Sequence, residues 1–357
     1  MRIAAKVTEA RRNVLSGTAF AAQLSMLIGA VTAGVLVADF STIAALQASA
    51  EAFRASGAAV QTLSAPGSVS GEACDALESN DIRSGAIRTS KRRLEPAALP
   101  GGPVPTFEVT PGFVDVVLKR RVSLDAGVLV SRSLADSFDL SAGDILKTTS
   151  GGVRVNAVFD YPDDGRRPWL GYSVLVPTIA SAPFDECWAE VWPQSAQLAG
   201  ILRTTVIPGG GPNDQKPAIG QLNSRLGNEY SGATAFAERP TRFAPLAAGG
   251  IAFLAVVGAI RLRRVELASA LHVGVTPNDL WSILLFESVL WIGATCAGIA
   301  PVVAYFIAAE PSADHSVFLA GGLTVTAGAI VGGLTGLATG TVLVRERRLF
   351  ALFKERR

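Results

Sequence analysis

The chain carries little with which to do chemistry. Two histidines, His272 and His315, occur in 357 residues. No serine stands in a Gly-x-Ser-x-Gly elbow, which leaves acyl transfer without its usual nucleophile. No Gly-x-x-x-x-Gly-Lys-Ser/Thr loop is present, so the chain should not hydrolyse ATP itself. Cysteine is limited to Cys74, Cys187 and Cys296. Charged residues make up 17% of the chain and are missing altogether from long stretches of it.

Those stretches are the main signal. They run Asn13–Ala38, Phe243–Ile260, Leu280–Ala309 (broken only by Glu287) and Ser316–Val344. Each reaches the roughly 18–20 apolar residues that cross a hydrocarbon core of about 30 Å. The chain reads as an α-helical membrane protein with four transmembrane helices in 1+3 order and a mixed α/β domain inserted between the first and second. The expected boundaries are a cytoplasmic amphipathic helix over 1–16 and transmembrane helices over 17–38, 243–260, 280–309 and 316–344. The inserted domain with a helical stalk covers 39–242, a loop helix covers 261–279, and a basic tail covers 345–357. The first apolar run is longer than the roughly 7–15 residues of a signal-peptide core, so it reads as an uncleaved anchor.

Basic residues flank the spans on one side: Arg2, Lys6, Arg11 and Arg12, then Arg261, Arg263 and Arg264, then Arg345, Arg347, Arg348, Lys354, Arg356 and Arg357. The loop between spans three and four holds Glu310 and Asp314 and no Lys or Arg. The positive-inside rule puts both termini and the 261–279 loop in the cytoplasm and the large domain outside. The two histidines then fall on opposite sides of the membrane and cannot share a metal. Cys74 and Cys187 both lie in the outer block, where they either form a bridge or stand as two buried thiols.

Along the chain, Ile3, Val7, Ala10, Val14 and Leu15 can share one face of the first helix, with Lys6, Glu9, Arg11 and Arg12 facing water. Helical spacing continues past Asp39 through Ile43, Leu46, Ala50 and Phe53 until Gly57. In the outer block, strands are expected at Ala59–Leu63, Arg83–Arg88, Val128–Ser131, Val153–Phe159 and Ser173–Val176. Helices are expected at Gly71–Glu78, Arg132–Phe138, Gln194–Leu202 and Gln215–Tyr230. Leu94–Pro105 and Gly209–Pro212 read as loops. The Asp160–Arg167 run reads as a solvated charged turn rather than a calcium site. Gly328, Gly332, Gly336 and Gly340 recur at spacing four and predict a face for close helix packing. Glu287, about two turns into span three, could pair with a basic group or serve in a proton path, and the favoured reading is a structural pair or a side chain that snorkels to the interface.

The 261–280 loop carries the strongest functional signal. Val265, Ala268 and Leu271 mark a short helix ended by Gly274, and Thr276-Pro277 is a start signal for the next, with Thr276 as cap and Pro277 at the first position. Arg264-Val-Glu266-Leu-Ala268, through Leu271-His-Val-Gly274-Val, then Leu285-Phe-Glu287-Ser-Val-Leu290, resembles a pattern of the FtsX/MacB/LolE-type permeases of ABC transporters (type VII, mechanotransmission systems). Gly127-Val-Leu-Val-Ser131, Leu134-Ala135 and Leu140-Ser-Ala-Gly143-Asp144 resemble an element of that family's MacB-like outer domain. One departure is His272, where many relatives carry Arg. The resemblance implies a bacterial plasma-membrane permease subunit, not itself an enzyme, that needs a separate cytoplasmic ATPase and a second permease chain, as a homodimer or heterodimer, among membrane lipids. ATP and Mg would be bound by that ATPase, with no cofactor in this chain and no nucleic acid as partner. Glu266, Leu267, Ala270, Leu271 and Gly274 would couple to the ATPase. The work would be export or extraction of a peptide, lipid or drug. The alternative is a signal transmitter that activates an extracellular cell-wall hydrolase.

Overall fold

The computed structural model describes residues 2–79, 81–120, 126–179, 182–209, 216–309 and 314–344. Glu310, the tail from Arg345 onward and residues 210–212 of the glycine loop lie outside the described residues. The chain divides into two compact units. One combines the residues up to Ala48 with those from Gly232 onward, and the other is Ser49–Ser231.

The chain opens with α1 (Ile3–Leu15) and α2 (Ala21–Ala55). Positive φ angles at Gly17 and Phe20 break the helix between them. The apolar run that starts at Asn13 is therefore not one helix: its first residues finish α1, and the candidate span begins at Ala21. α2 then runs unbroken through Asp39 to Ala55, because its residues keep helical spacing until Gly57 takes a φ of 78°.

Among the described residues, the Ser49–Ser231 unit is built on a nine-stranded sheet. In chain order its elements are β1 (Val60–Val69), α3 (Gly71–Asp75), β2 (Ile82–Thr89), β3 (Thr106–Val109) and α4 (Pro111–Leu118). There follow β4 (Val128–Ser131), α5 (Arg132–Ser137), β5 (Ile145–Thr148), β6 (Gly151–Phe159) and β7 (Val174–Pro177). The unit closes with β8 (Phe184–Val191), α6 (Leu198–Arg203) and β9 (Ala218–Gln221). The strand order is β5-β6-β4-β7-β3-β2-β8-β1-β9, with parallel pairs at β3–β7 and β4–β6. A mixed sheet of this kind takes apolar cover on both faces. Phe113 and Val116 of α4 pack with Trp188, Ile87 and Leu129, while Leu198 and Leu202 of α6 pack with Leu63, Phe184 and the two cysteines. Cys74 of α3 and Cys187 of β8 form a disulfide that fastens this helical cover to the middle of the sheet.

Three expectations for this unit fail for local reasons. The stretch read as a helix from Gln215 to Tyr230 is the edge strand β9 followed by turns, in its described residues. The Gln194–Leu202 helix shortens to α6, since residues 194–197 are bend and turn. Arg166, read as part of a solvated turn, is 8% exposed and paired with Asp164 at 2.7 Å.

The second unit is a helix bundle. It contains α1, most of α2, α7 (Gly232–Glu238), α8 (Ala244–Leu262), α9 (Arg264–His272), α10 (Pro277–Ala309) and α11 (His315–Leu343). Among the described residues, four helical segments, Ala21–Ala55, Pro240–Leu262, Pro277–Ala309 and His315–Leu343, are long and apolar enough to cross a membrane. Their shared core includes Ile28, Leu36, Phe40, Val256, Trp291, Phe318 and Val325. The tightest contact is between α8 and α11. A Cβ at Gly328 would lie 2.4 Å from the Pro245 carbonyl oxygen, at Gly332 2.0 Å from that of Gly249, and at Gly336 2.7 Å from that of Phe253. At Gly340 it would meet Ile260 Cδ1 at 2.5 Å. The four-residue glycine repeat thus brings the two backbones into direct contact. Buried Asp39 of α2 accepts from Arg239 Nε at 3.0 Å, which ties the segment before α8 to α2.

Candidate coupling site

The 261–280 segment folds as its start and stop residues require. α8 ends at Leu262, Arg263 turns the chain at φ −90°, and α9 begins at Arg264. Gly274, with φ +100°, ends α9. The Thr276 hydroxyl then accepts from Asp279 N at 3.2 Å and donates to Asp279 Oδ2 at 2.8 Å, with Pro277 first in α10. This is a side-chain cap on the new helix, with proline where no N–H is needed.

A polar seam is built on that corner. The Arg263 guanidinium donates to both oxygens of Glu287, Nη1 to Oε2 at 2.5 Å and Nη2 to Oε1 at 3.3 Å. Both side chains are 6% exposed. Arg263 also donates to Glu266 at 3.1 and 3.3 Å. Asn13 of α1 donates to Glu287 Oε1 at 2.7 Å. Further along α1, Lys6 pairs with Asp279 at 2.8 Å and donates to Ser282 at 3.3 Å. A forked guanidinium on a carboxylate fixes orientation as well as distance, and burial makes breaking it costly. The seam therefore fastens α1, the α8–α9 corner and α10 to one another. A cavity of about 30 Å³, lined by Arg263, Glu287, Ser288 and Trp291 among others, lies beside the pair.

The expected coupling residues do not share one surface. Glu266 is 46% exposed at its side chain and turns toward Arg263. Leu267 is buried, and Leu271 packs partly buried against the bundle core beside Val275. Ala270 is half-buried and Gly274 is exposed. Leu267 and Leu271 hold α9 down against the bundle core. The exposed side of the segment carries Arg264, Glu266, Ser269, His272 and Val273. In α1, Lys6 does not face water as expected, since it pairs with Asp279. Ile3, Val7 and Leu15 are exposed, while Lys6, Ala10 and Asn13 meet α10. Glu287 does not snorkel, because Arg263 and Asn13 satisfy it where it stands.

Sequence reasoning missed Arg263 and Asn13 as partners of Glu287. A signal for Arg263 was present: Ile260, Arg263, Leu267 and Leu271 fall at helical spacing, so one arginine of the three stands in an apolar stripe. Among the described residues, no group of three His, Cys, Asp or Glu is placed to hold a metal ion.

No family model matches the chain, and no curated protein matches it. Among solved structures, the periplasmic region of MacB from Actinobacillus actinomycetemcomitans is 11% identical with a TM-score of 0.32, over 42% of this chain and 82% of that one. A domain of a protein that carries the name permease, from Porphyromonas gingivalis, is 13% identical with a TM-score of 0.31, over 52% of this chain and 99% of the other. Likenesses this distant carry no argument about what the chain does.

Proposed function

We propose that the chain is the membrane-embedded permease subunit of an ABC transporter, worked by a separate cytoplasmic ATPase that alone hydrolyses ATP. The termini and α9 lie in the cytoplasm, and the sheet unit lies outside. Four membrane-length helices and a basic-residue bias toward the termini and the 261–264 corner support this arrangement. So do the local sequence patterns around Glu266 and Glu287. Two copies, or this chain and a sibling, meet the two nucleotide-binding subunits. The cargo is a peptide, lipid or drug moved outward or extracted from the membrane.

One observation carries the reading: α9, nine residues long, is anchored through Arg263 to a buried carboxylate on α10 and through that carboxylate to α1. A short helix with its inner side fixed and its outer side polar is built to take force from a protein that docks on it. Glu266 is the charged contact. The test is purification of the tagged full chain from mild detergent, with co-purifying chains identified. An ATPase subunit is expected with the natural chain and lost with Glu266→Lys. Retention of the same ATPase, at the same activity, by Glu266→Lys would remove Glu266 from the contact. Reporter tags that place residues 60–240 on the same side as the termini would overturn the whole reading.

A further inference from the structure

The end of α2 is held in an unusual way, entirely within the Ser49–Ser231 unit. The helix closes its own backbone first: Gly57 N bonds to Arg54 O at 3.1 Å and Ala58 N to Phe53 O at 3.2 Å. This is the Schellman arrangement, with Gly57 in the left-handed region. Four side chains from separate parts of the unit then reach the carbonyls of Arg54, Ala55, Ser56 and Ala58. Lys119 Nζ donates to Arg54 O at 2.8 Å and to Ala55 O at 2.7 Å. Arg166 Nη2 donates to Ala55 O at 3.0 Å. Asn223 Nδ2 donates to Ser56 O at 3.0 Å, and Gln221 Nε2 to Ala58 O at 2.5 Å.

These donors are themselves braced. Lys119 sits just past the end of α4 with φ +54°, and its carbonyl accepts from Arg83, which is also paired with buried Glu190. Arg166 is forked onto Asp164 and lies over the Tyr161 ring. On the other side of the helix, Phe53 is 2% exposed and packs on Trp192 and Tyr230, and Ser49 Oγ meets Tyr230 Oη at 2.8 Å. Two cations at a helix C-terminus oppose its partial negative charge, and burial strengthens the bond from Arg166, which is 8% exposed.

We infer that this socket is the joint through which movement of α2 enters the sheet, with Lys119 and Arg166 as the residues that fix the helix end. Turning or drawing the helix would break five side-chain bonds to four carbonyls between Arg54 and Ala58 at once, so the helix end and the sheet move together. A helix end satisfied only by its own Schellman bonds would be free to swivel against the sheet. The inference rests on the proposed function for what drives α2, but not for the joint itself.

Two measurements test it on the full chain in lipid nanodiscs. In the first, amide hydrogen exchange is followed across residues 53–60, with the strands at 128–159 as an internal reference. Lys119→Met should speed exchange at 53–60 by roughly tenfold and leave the reference unchanged, while Lys119→Arg, which keeps the cation, should stay near the natural rate. Unchanged protection at 53–60 in Lys119→Met combined with Arg166→Met would overturn the joint, whatever the chain does in the membrane. In the second, the co-purified ATPase is present and ATP-dependent changes in sheet exchange are recorded. Lys119→Met should keep ATP hydrolysis and lose the ATP-dependent change in the sheet, and Lys119→Arg should restore it. A sheet response that persists in Lys119→Met would show that movement enters elsewhere. Absence of any ATPase would count against the proposed function alone, since the first measurement needs none.

Discussion

The Arg263–Glu287 pair makes an asymmetric prediction. Arg263 has two carboxylate partners, Glu287 inside and the half-exposed Glu266 outside. Glu287 has one cationic partner and one amide, from Asn13. Arg263→Met therefore strands a buried carboxylate with a single neutral donor. Removal of one member of a buried pair costs about 3–5 kcal/mol. Glu287→Leu instead leaves Arg263 bound to Glu266, near water, and strands only the Asn13 amide, a loss of about 1–3 kcal/mol. The double variant Arg263→Met/Glu287→Leu removes both charges, so its loss should fall below the sum of the singles by at least about 1 kcal/mol. Reversible unfolding of the full chain in detergent, followed by helical circular dichroism, reads all three. Equal losses in the two single variants, or strict additivity in the double, would refute the account of Glu287 as a charge that depends on Arg263.

Other consequences are open to direct test. Gly332→Ala puts a methyl 2.0 Å from the Gly249 carbonyl oxygen, whereas a Cβ at Gly250 meets nothing within 4 Å. Gly332→Ala should cost about 1–3 kcal/mol of stability and Gly250→Ala close to nothing; equal midpoints in the same unfolding assay would rule out the backbone contact. The Cys74–Cys187 bridge spans 113 residues of sequence, so replacing both with alanine should lower stability by about 2–5 kcal/mol and abolish the mobility difference between reduced and non-reduced gels. Glu108 is held below its ordinary pKa of 4.5: burial works against this, but hydrogen bonds from Arg88 and Ser90 outweigh it. A depressed carboxyl stabilises the fold above its unfolded pKa and ceases to do so as pH falls through the folded value. The stability gap between the natural chain and Glu108→Gln should therefore be widest near neutrality and close below pH 4.5; a gap that stays open in acid would contradict the Arg88 pairing.

Local signals were strong wherever one residue type decides the outcome. The charge-free stretches, the strand at Val128–Ser131, the Gly57 stop and the Thr276-Pro277 start all depend on short spacing or on a special backbone residue. What escaped detection depended on partners far away in sequence. β8, Phe184–Val191, carries Asp185, Glu186 and Glu190 and so reads as polar, yet it sits between β1 and β2 in the sheet. Its acids are accommodated because Arg167 and Arg83 reach Glu186 and Glu190, and backbone amides of Gly67 and Thr89 reach Asp185. α4, Pro111–Leu118, has an apolar run that suits strand or helix; Thr110-Pro111 favours a helix start, and packing on β2 and β8 settles it. At the coupling site, Leu271 marked the helix correctly but not which way it faces, because that depends on where α10 lies. Lys6 reads as a solvent-facing residue until Asp279 is placed beside it, and Asn13, the first residue of an uncharged stretch, gives no sign of its bond to Glu287.

The glycine repeat on α11 limits what the bundle can do. Where main chain rests on main chain, at Gly328, Gly332 and Gly336 of α11 against Pro245, Gly249 and Phe253 of α8, rotation or slip of either helix would drive a carbonyl into a Cα. α8 and α11 must then behave as a single rigid strut. α2 leans on this group through interchangeable side chains such as Phe40 against Phe318, which can repack at little expense. Rearrangement inside the bundle is then easiest for α2, for α10 and at the corner at Arg263, with α8 and α11 as the fixed frame.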